Sequence, residues 1–180
     1  VVRELHGERF GDDYFWLRER TNPEVRAYLD EENRYADAFM KGSEAFREKL
    51  YDEMLGRIKQ TDLSVPYRYQ GYFYYSRTET GKQYAIRCRR KGSLEAPEQV
   101  LLDLNELAEG RAFVDLGAYA VSDDAKRLAF SVDDVGFRQY TLRVKDLVTG
   151  EHLPLRVERV VSVAWAADDE TLFYVVEEEK

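Results

Sequence analysis

The chain has 180 residues, 44% of them hydrophobic, enough for one ordinary domain or for a small helical part and a piece of a larger one. Its 35 acidic and 27 basic residues give a net charge of −8, which argues against a nucleic-acid partner because phosphate binding needs a basic face. The lone cysteine, Cys88, excludes an internal disulfide and suits a reducing cytosol, and no apolar run approaches the ~18 residues of a membrane-crossing helix.

The chain opens on Val1-Val2-Arg3-Glu4-Leu5-His6-Gly7, with no apolar signal core and no starting Met, which points to an excised piece of a cytoplasmic protein. Residues 1–21 read as an extended arm. Tyr14, Phe15 and Trp16 at its centre are too many aromatics for a free tail, so the arm is expected to bury them against a partner surface. Asn22-Pro23 then starts a helix, because Asn caps well and Pro loses nothing at the first helical position. Val25, Leu29, Ala36, Phe39 and Met40 recur at helical spacing, interrupted only by Glu32. Gly42-Ser43 is expected to end that helix and cap a second one, striped by Phe46, Leu50, Met54 and Ile58, making a helical hairpin.

At Pro66 the pattern changes to strand and turn. Tyr67–Tyr69, Tyr72–Ser76, Tyr84–Arg89, Gln99–Asp103, Ala118–Val121, Leu128–Val132, Tyr140–Asp146, Val161–Ala164 and Thr171–Val176 read as strands. Gly71, Thr80-Gly81, Lys91-Gly92-Ser93, Asp133-Asp134-Val135-Gly136 and Val148-Thr149-Gly150 supply turns. The stretch from Ala120 to Phe130 can be laid on Ala164 to Tyr174 at an offset of 44 residues, each a strand, an acidic turn and a second strand. Propeller blades repeat at about 40–50 residues. The pattern alone leaves propeller and sandwich both open. On the propeller reading, the 115 residues from Pro66 to Lys180 hold about two and a half blades, too few to close a ring. Glu177-Glu178-Glu179-Lys180 then stands where a turn into the next strand is expected.

Asp12-Asp13-Tyr14-Phe15-Trp16-Leu17-Arg18, Asn22-Pro23-Glu24-Val25 and Tyr28-Leu29-Asp30-Glu31-Glu32-Asn33 resemble the opening of the prolyl oligopeptidase family of serine peptidases. Glu53 to Asp62, Ser64-Val65-Pro66-Tyr67, Tyr74 to Glu79, Gly81-Lys82-Gln83-Tyr84, Cys88 to Ser93 and Gly136 to Leu142 are similar, more narrowly, to the oligopeptidase B branch. The resemblance implies an α+β chain. Its N-terminal arm and α-helical hairpin (residues 1–65) would pack on an absent α/β-hydrolase domain. Antiparallel β-sheets (residues 66–180) would form the first two to three blades of an incomplete β-propeller, seven-bladed in the family. The implied whole protein is a serine oligopeptidase that cleaves short peptides after Arg or Lys, with this segment gating substrate size. The alternatives are a prolyl-specific member of the same family and a non-enzymatic propeller scaffold that binds a partner protein. Implied partners are short basic peptides, the hydrolase domain and the remaining blades, with no nucleic acid and no membrane.

No catalytic, cofactor-binding or metal residue is assigned within the chain. Acyl transfer needs a Ser nucleophile on a Gly-x-Ser-x-Gly elbow, a His base and an orienting Asp, and no such pentapeptide occurs. His6 and His152 read as exposed polar histidines, and with one cysteine they offer no zinc site. Asp123-Asp124, Asp133-Asp134 and Asp168-Asp169 lack calcium-loop spacing and read as turn residues. Gly81-Lys82 lacks the first glycine of a phosphate loop. Arg87, Arg89, Arg90 and Lys91 read as a solvated strand edge, and Cys88 among them as a buried small residue rather than a reactive thiol.

Overall fold

The first helix, α1 (Pro23–Met40), begins as the chemistry of Asn22-Pro23 requires. The Asn22 side chain accepts a hydrogen bond from the Glu24 N–H at 2.9 Å, and Pro sits where no intrahelical donor is needed. The computed structural model describes residues 1–178, so Glu179 and Lys180 of the closing acidic run lie outside the described residues. It divides into two units, Val1–Ile58 and Lys59–Lys180.

In the first unit the arm is not simply extended. Strands β1 (Val2–Leu5) and β2 (Glu8–Gly11) pair antiparallel around His6 and Gly7, whose φ angles of 55° and 80° are those of a tight left-handed hairpin turn. A 3-10 turn follows at Phe15–Arg18, and Trp16 meets the ring of Tyr28 on α1 edge-on, with centroids 5.5 Å apart. The partner surface for Trp16 is therefore the unit's own helix. A 3-10 turn at Lys41–Ser43 joins α1 to α2 (Glu44–Gly56). Ser43 does not cap α2 as expected. Its φ and ψ are −99° and 3° rather than extended, and its hydroxyl donates to the Met40 carbonyl at 2.7 Å. Ile58 falls beyond the end of α2.

The second unit is built of antiparallel sheets. The first is a meander of β3 (Tyr67–Tyr69), β4 (Tyr72–Arg77), β5 (Ile86–Lys91) and β6 (Glu98–Asp103). A one-turn helix, α3 (Leu104–Leu107), is capped by the Asp103 carboxylate on the Asn105 N–H at 2.8 Å. It leads into the second sheet, β7 (Asp115–Val121), β8 (Arg127–Asp133) and β9 (Thr141–Asp146). The third is the pair β10 (Val160–Trp165) and β11 (Leu172–Val176). The segment before β3 also belongs here. Leu63 bridges Arg77, and the Ser64 N–H donates to the Ser76 carbonyl at 2.8 Å. The structure divides between Ile58 and Lys59, so residues 59–65 go with the sheets, whereas the sequence pattern changes at Pro66.

The second sheet has a fourth position that sequence periodicity does not show. Leu142 exchanges backbone hydrogen bonds with Val157, and Leu153 donates to Val144, but the bridges Leu142–Val157 and Lys145–His152 are out of register by two residues. Pro154 sits between them, and without an N–H it cannot continue the ladder. Each complete sheet thus carries four chain passes, and the third carries the first two.

The 44-residue repeat is reproduced in the backbone hydrogen bonds of its turns. Ser122 and Ala166 each donate their N–H to the residue five further on, Arg127 and Thr171, both at 2.9 Å. Ala125 and Asp169 close the turns with φ of 60° and 59°, donating back to Ser122 and Ala166. Leu128, Phe130 and Val132 of β8 pack toward the first sheet with Tyr74, Leu101 and Leu102. Ala129 of β8 packs with Leu142, Val144 and Val160. The second sheet is therefore buried on both faces.

Arg89, 3% exposed, joins the first sheet to the second. Its guanidinium lies 4.1 Å over the Tyr72 ring, and it donates to the Gln99 side chain and to the Ala125 carbonyl, each at 2.8 Å. This corrects the expected solvated edge, because β5 is an interior strand paired on both sides. Replacing this fork by an apolar chain leaves a buried turn carbonyl unpaired. Arg89→Met is expected to lower unfolding stability by about 2–3 kcal/mol in denaturant melts, with Arg89→Lys recovering little of it.

Candidate functional site

The acidic pairs are held by their turns. The Asp124 carboxylate accepts from the Ser122 hydroxyl at 2.7 Å and from the Lys126 N–H at 3.0 Å, and those bonds, the hydroxyl foremost, hold its pKa down to about 2. Asp168, its repeat mate, is lowered in the same way by the Thr171 hydroxyl and the N–H groups of Thr171 and Glu170. Asp133 accepts from the N–H groups of Val135, Gly136 and Arg138. Among the described residues no three His, Cys, Asp or Glu side chains group as metal ligands.

The two histidines fall in different units. His6 occupies the β1–β2 turn, and His152 lies in the fourth position of the second sheet, its ring 5.8 Å from that of Phe130. Burial, then the charges of Lys145 and Arg143, push His152 below the ordinary imidazole range. Cys88 is 1% exposed, and burial pushes its thiol up to about 11, so it stays protonated and packs with Tyr75 and Ile86. On the same sheet Tyr75 donates to Glu98 at 2.6 Å and Arg77 donates to it at 3.0 Å. Burial works against these bonds, but they hold the Glu98 carboxyl below its usual range.

What the two units offer outward is apolar surface. On α1 and α2, Leu29, Phe39, Phe46, Leu50 and Met54 are exposed, Phe39 by 75%, and of α1 only Val25 is buried. In the second unit the repeat supplies an internal comparison. Ala129, Phe130 and Val132 of β8 are 0–2% exposed, while Phe173, Tyr174 and Val176 at the matching places on β11 are 63%, 46% and 44% exposed. The strands are equivalent, and they differ in what lies beside them. β8 has a sheet on each side, and β11 is an edge strand whose side chains are exposed on both faces. The bonds that link consecutive sheets were invisible to sequence reasoning. Arg127 donates to the Asp169 carbonyl, and the Trp165 indole donates to the Ala120 carbonyl at 3.0 Å. An arginine inside an aromatic-rich strand run was the signal available.

Radially stacked four-pass sheets, an open final sheet and a helical lead-in define a partial propeller. Over residues 1–180 the chain matches the family described as prolyl oligopeptidase, N-terminal beta-propeller domain, and it belongs to that family of serine peptidases. Dipeptidyl aminopeptidase BI of Pseudoxanthomonas mexicana is 45% identical across 97% of this chain and 27% of its own length. Protease 2 of Moraxella lacunata is 38% identical across 98% of the chain and 27% of its own length. Among solved structures, oligopeptidase B of Leishmania major matches with a TM-score of 0.85 and 32% identity over 95% of this chain and 25% of that one. Oligopeptidase B of Trypanosoma brucei, in a closed form with covalently bound antipain, matches with a TM-score of 0.83 and 30% identity over 99% of this chain and 27% of that one. The chain spans about a quarter of the length of these relatives.

Two outcomes follow from this surface. Expressed alone, the 180-residue chain is expected to self-associate through β11 and its exposed apolar side chains, and a compact monomer in size-exclusion chromatography would contradict an uncovered edge. The depressed Asp124 carboxyl contributes stability that is whole above the ordinary carboxylate range, near ~3.9, and is lost as pH falls through about 2. Asp124→Asn should therefore be less stable than the parent at neutral pH and converge with it in unfolding melts near pH 2.

Proposed function

We propose that this chain is the gating and docking part of a serine oligopeptidase that cleaves short peptides after Arg or Lys. The observation that carries the reading is the exposed apolar strand β11, whose matching positions are buried in the preceding repeat, and, separately, the exposed apolar residues of the helices. Such faces fit a segment whose covering elements are the remaining blades and an α/β-hydrolase domain. β10 lies beside β7, and in a completed ring such first strands would line an axial opening that passes short peptides and excludes a folded protein. Substrate size is then limited sterically, and peptide bonds are cut by a Ser-His-Asp triad supplied by the hydrolase domain. Cleavage after basic residues rests on likeness to the two oligopeptidase B structures. A net charge of −8 would favour the approach of cationic peptides.

A second reading has its own support, since a 45% identical relative carries the name dipeptidyl aminopeptidase. That activity removes residues in pairs from a free N-terminus. One assay separates the two. The intact protein is offered chromogenic peptides ending in Arg, Lys or Pro, each with a blocked and with a free amino terminus. The first reading expects turnover of blocked Arg and Lys peptides, none by the 180-residue chain alone, and sparing of the same sequence inside a folded protein. Turnover restricted to free-ended peptides would establish the second reading, and turnover confined to Pro peptides, or by the chain alone, would overturn the first.

A further inference from the structure

Between the first two sheets lies a cavity of about 100 Å³, lined by Ser64, Tyr67, Tyr74, Ser76, Arg87 and Tyr119 among others. Its chemistry is one-sided. The lining contributes phenols and hydroxyls, which can donate or accept, and a guanidinium, and no carboxylate. The Nε of Arg87 is buried and has no hydrogen-bond partner among the described residues. Among the described residues Arg87 makes no ion pair, and its guanidinium carbon lies 5.9 Å from the centre of the Tyr119 ring. Neighbouring arginines are placed otherwise. Arg77 pairs with Glu98 and Glu79, and Arg89 spends its donors on Gln99 and a backbone carbonyl.

A buried guanidinium N–H without an acceptor is costly, and the groups around it are neutral hydroxyls and rings with no carboxylate to balance the charge. We propose that this cavity binds one small monovalent anion, a halide or a planar anion of formate size, held by the Arg87 guanidinium. The surrounding phenols suit the role. Burial, foremost, pushes the Tyr119 and Tyr74 hydroxyls above the ordinary phenol range, so both remain protonated donors at neutral pH. The volume admits one such ion with a few waters and not a fully hydrated sulfate. Because Ser64, Ser76 and Arg87 belong to the first sheet and Tyr119 to the second, a bound anion would bridge the two sheets and stabilise their packing.

The test uses the intact protein in bromide, nitrate, formate or sulfate at matched ionic strength. The monovalent anions should raise the thermal midpoint saturably by about 2–4 °C, with sulfate showing no saturable rise. Arg87→Met should abolish the saturable part and Arg87→Lys should keep a weaker one. A bromide-soaked crystal should show an anomalous peak beside Arg87, which serves even if the variants fold poorly. Equal anion dependence in Arg87→Met, an equal effect of sulfate, or a cavity holding only ordered water beside Arg87 would each overturn the proposal.

Discussion

The second unit depends on how a turn in one sheet is received by the sheet before it. At the β7–β8 turn, Ala125 takes a left-handed conformation, and its carbonyl accepts from the Arg89 guanidinium of the first sheet. At the β10–β11 turn, Asp169 takes the same conformation, and its carbonyl accepts from Arg127 of the second sheet. The donors come from different strands, β5 and β8, yet the receiving geometry is constant. A left-handed residue turns its carbonyl out of the local ladder, so a buried turn of this type needs a donor from elsewhere. Arginine suits the task because it can reach, fork and lie on an aromatic ring at once, as Arg89 does over Tyr72. Apolar contact alone would let the sheets slide, whereas a directional bond to one carbonyl fixes their register.

The same arrangement explains where apolar surface is left. A sheet stacked this way has two faces to cover, and the second sheet covers both, with Phe130 and Leu128 on one side and Ala129 and Leu142 on the other. Burying a large apolar side chain contributes roughly 1.5–3 kcal/mol. The third sheet receives only part of that contribution, through Val163, Trp165 and Leu172, and Phe173, Tyr174, Val175 and Val176 of β11 remain exposed. On the helices Phe39 and Phe46 repeat the situation. Both units carry the sequence of interior surfaces without the interior, which suits parts that complete their burial in a larger assembly.

How much of this was legible follows from how local each feature is. The α1 start was readable because Asn22 and Pro23 act on their own neighbours. The repeat was readable because an Asp that binds the N–H two residues on, as Asp124 and Asp168 do, must stand at a fixed place in the turn. The fourth pass of the second sheet was not, because Pro154 breaks the alternation that marks a strand. The β1–β2 hairpin also escaped. Its residues are exposed on both faces, so no apolar period exists, and His6-Gly7 is not a turn pair that stands out. Arg89 was misread for a deeper reason. Periodicity assigns charged residues to water, and only the neighbouring sheet, distant in sequence, reveals a carbonyl in need of a donor.

That last failure bears on how β5 as a whole is to be understood. Arg87 and Arg89 stand two residues apart and pair with Ser76 and Tyr74 of β4, so they project to the same side of the sheet. Their surroundings are similarly aromatic. One has an acceptor for its donors and the other has an orphaned Nε. If aromatic contact sufficed to bury a guanidinium, Arg89 would not also need Gln99 and Ala125. If structure alone dictated the residue, an uncharged side chain at position 87 would fill the space without the desolvation cost. The contrast within one strand separates an arginine whose role is fully accounted for by the packing of two sheets from one whose charge is left unexplained by any protein group beside it.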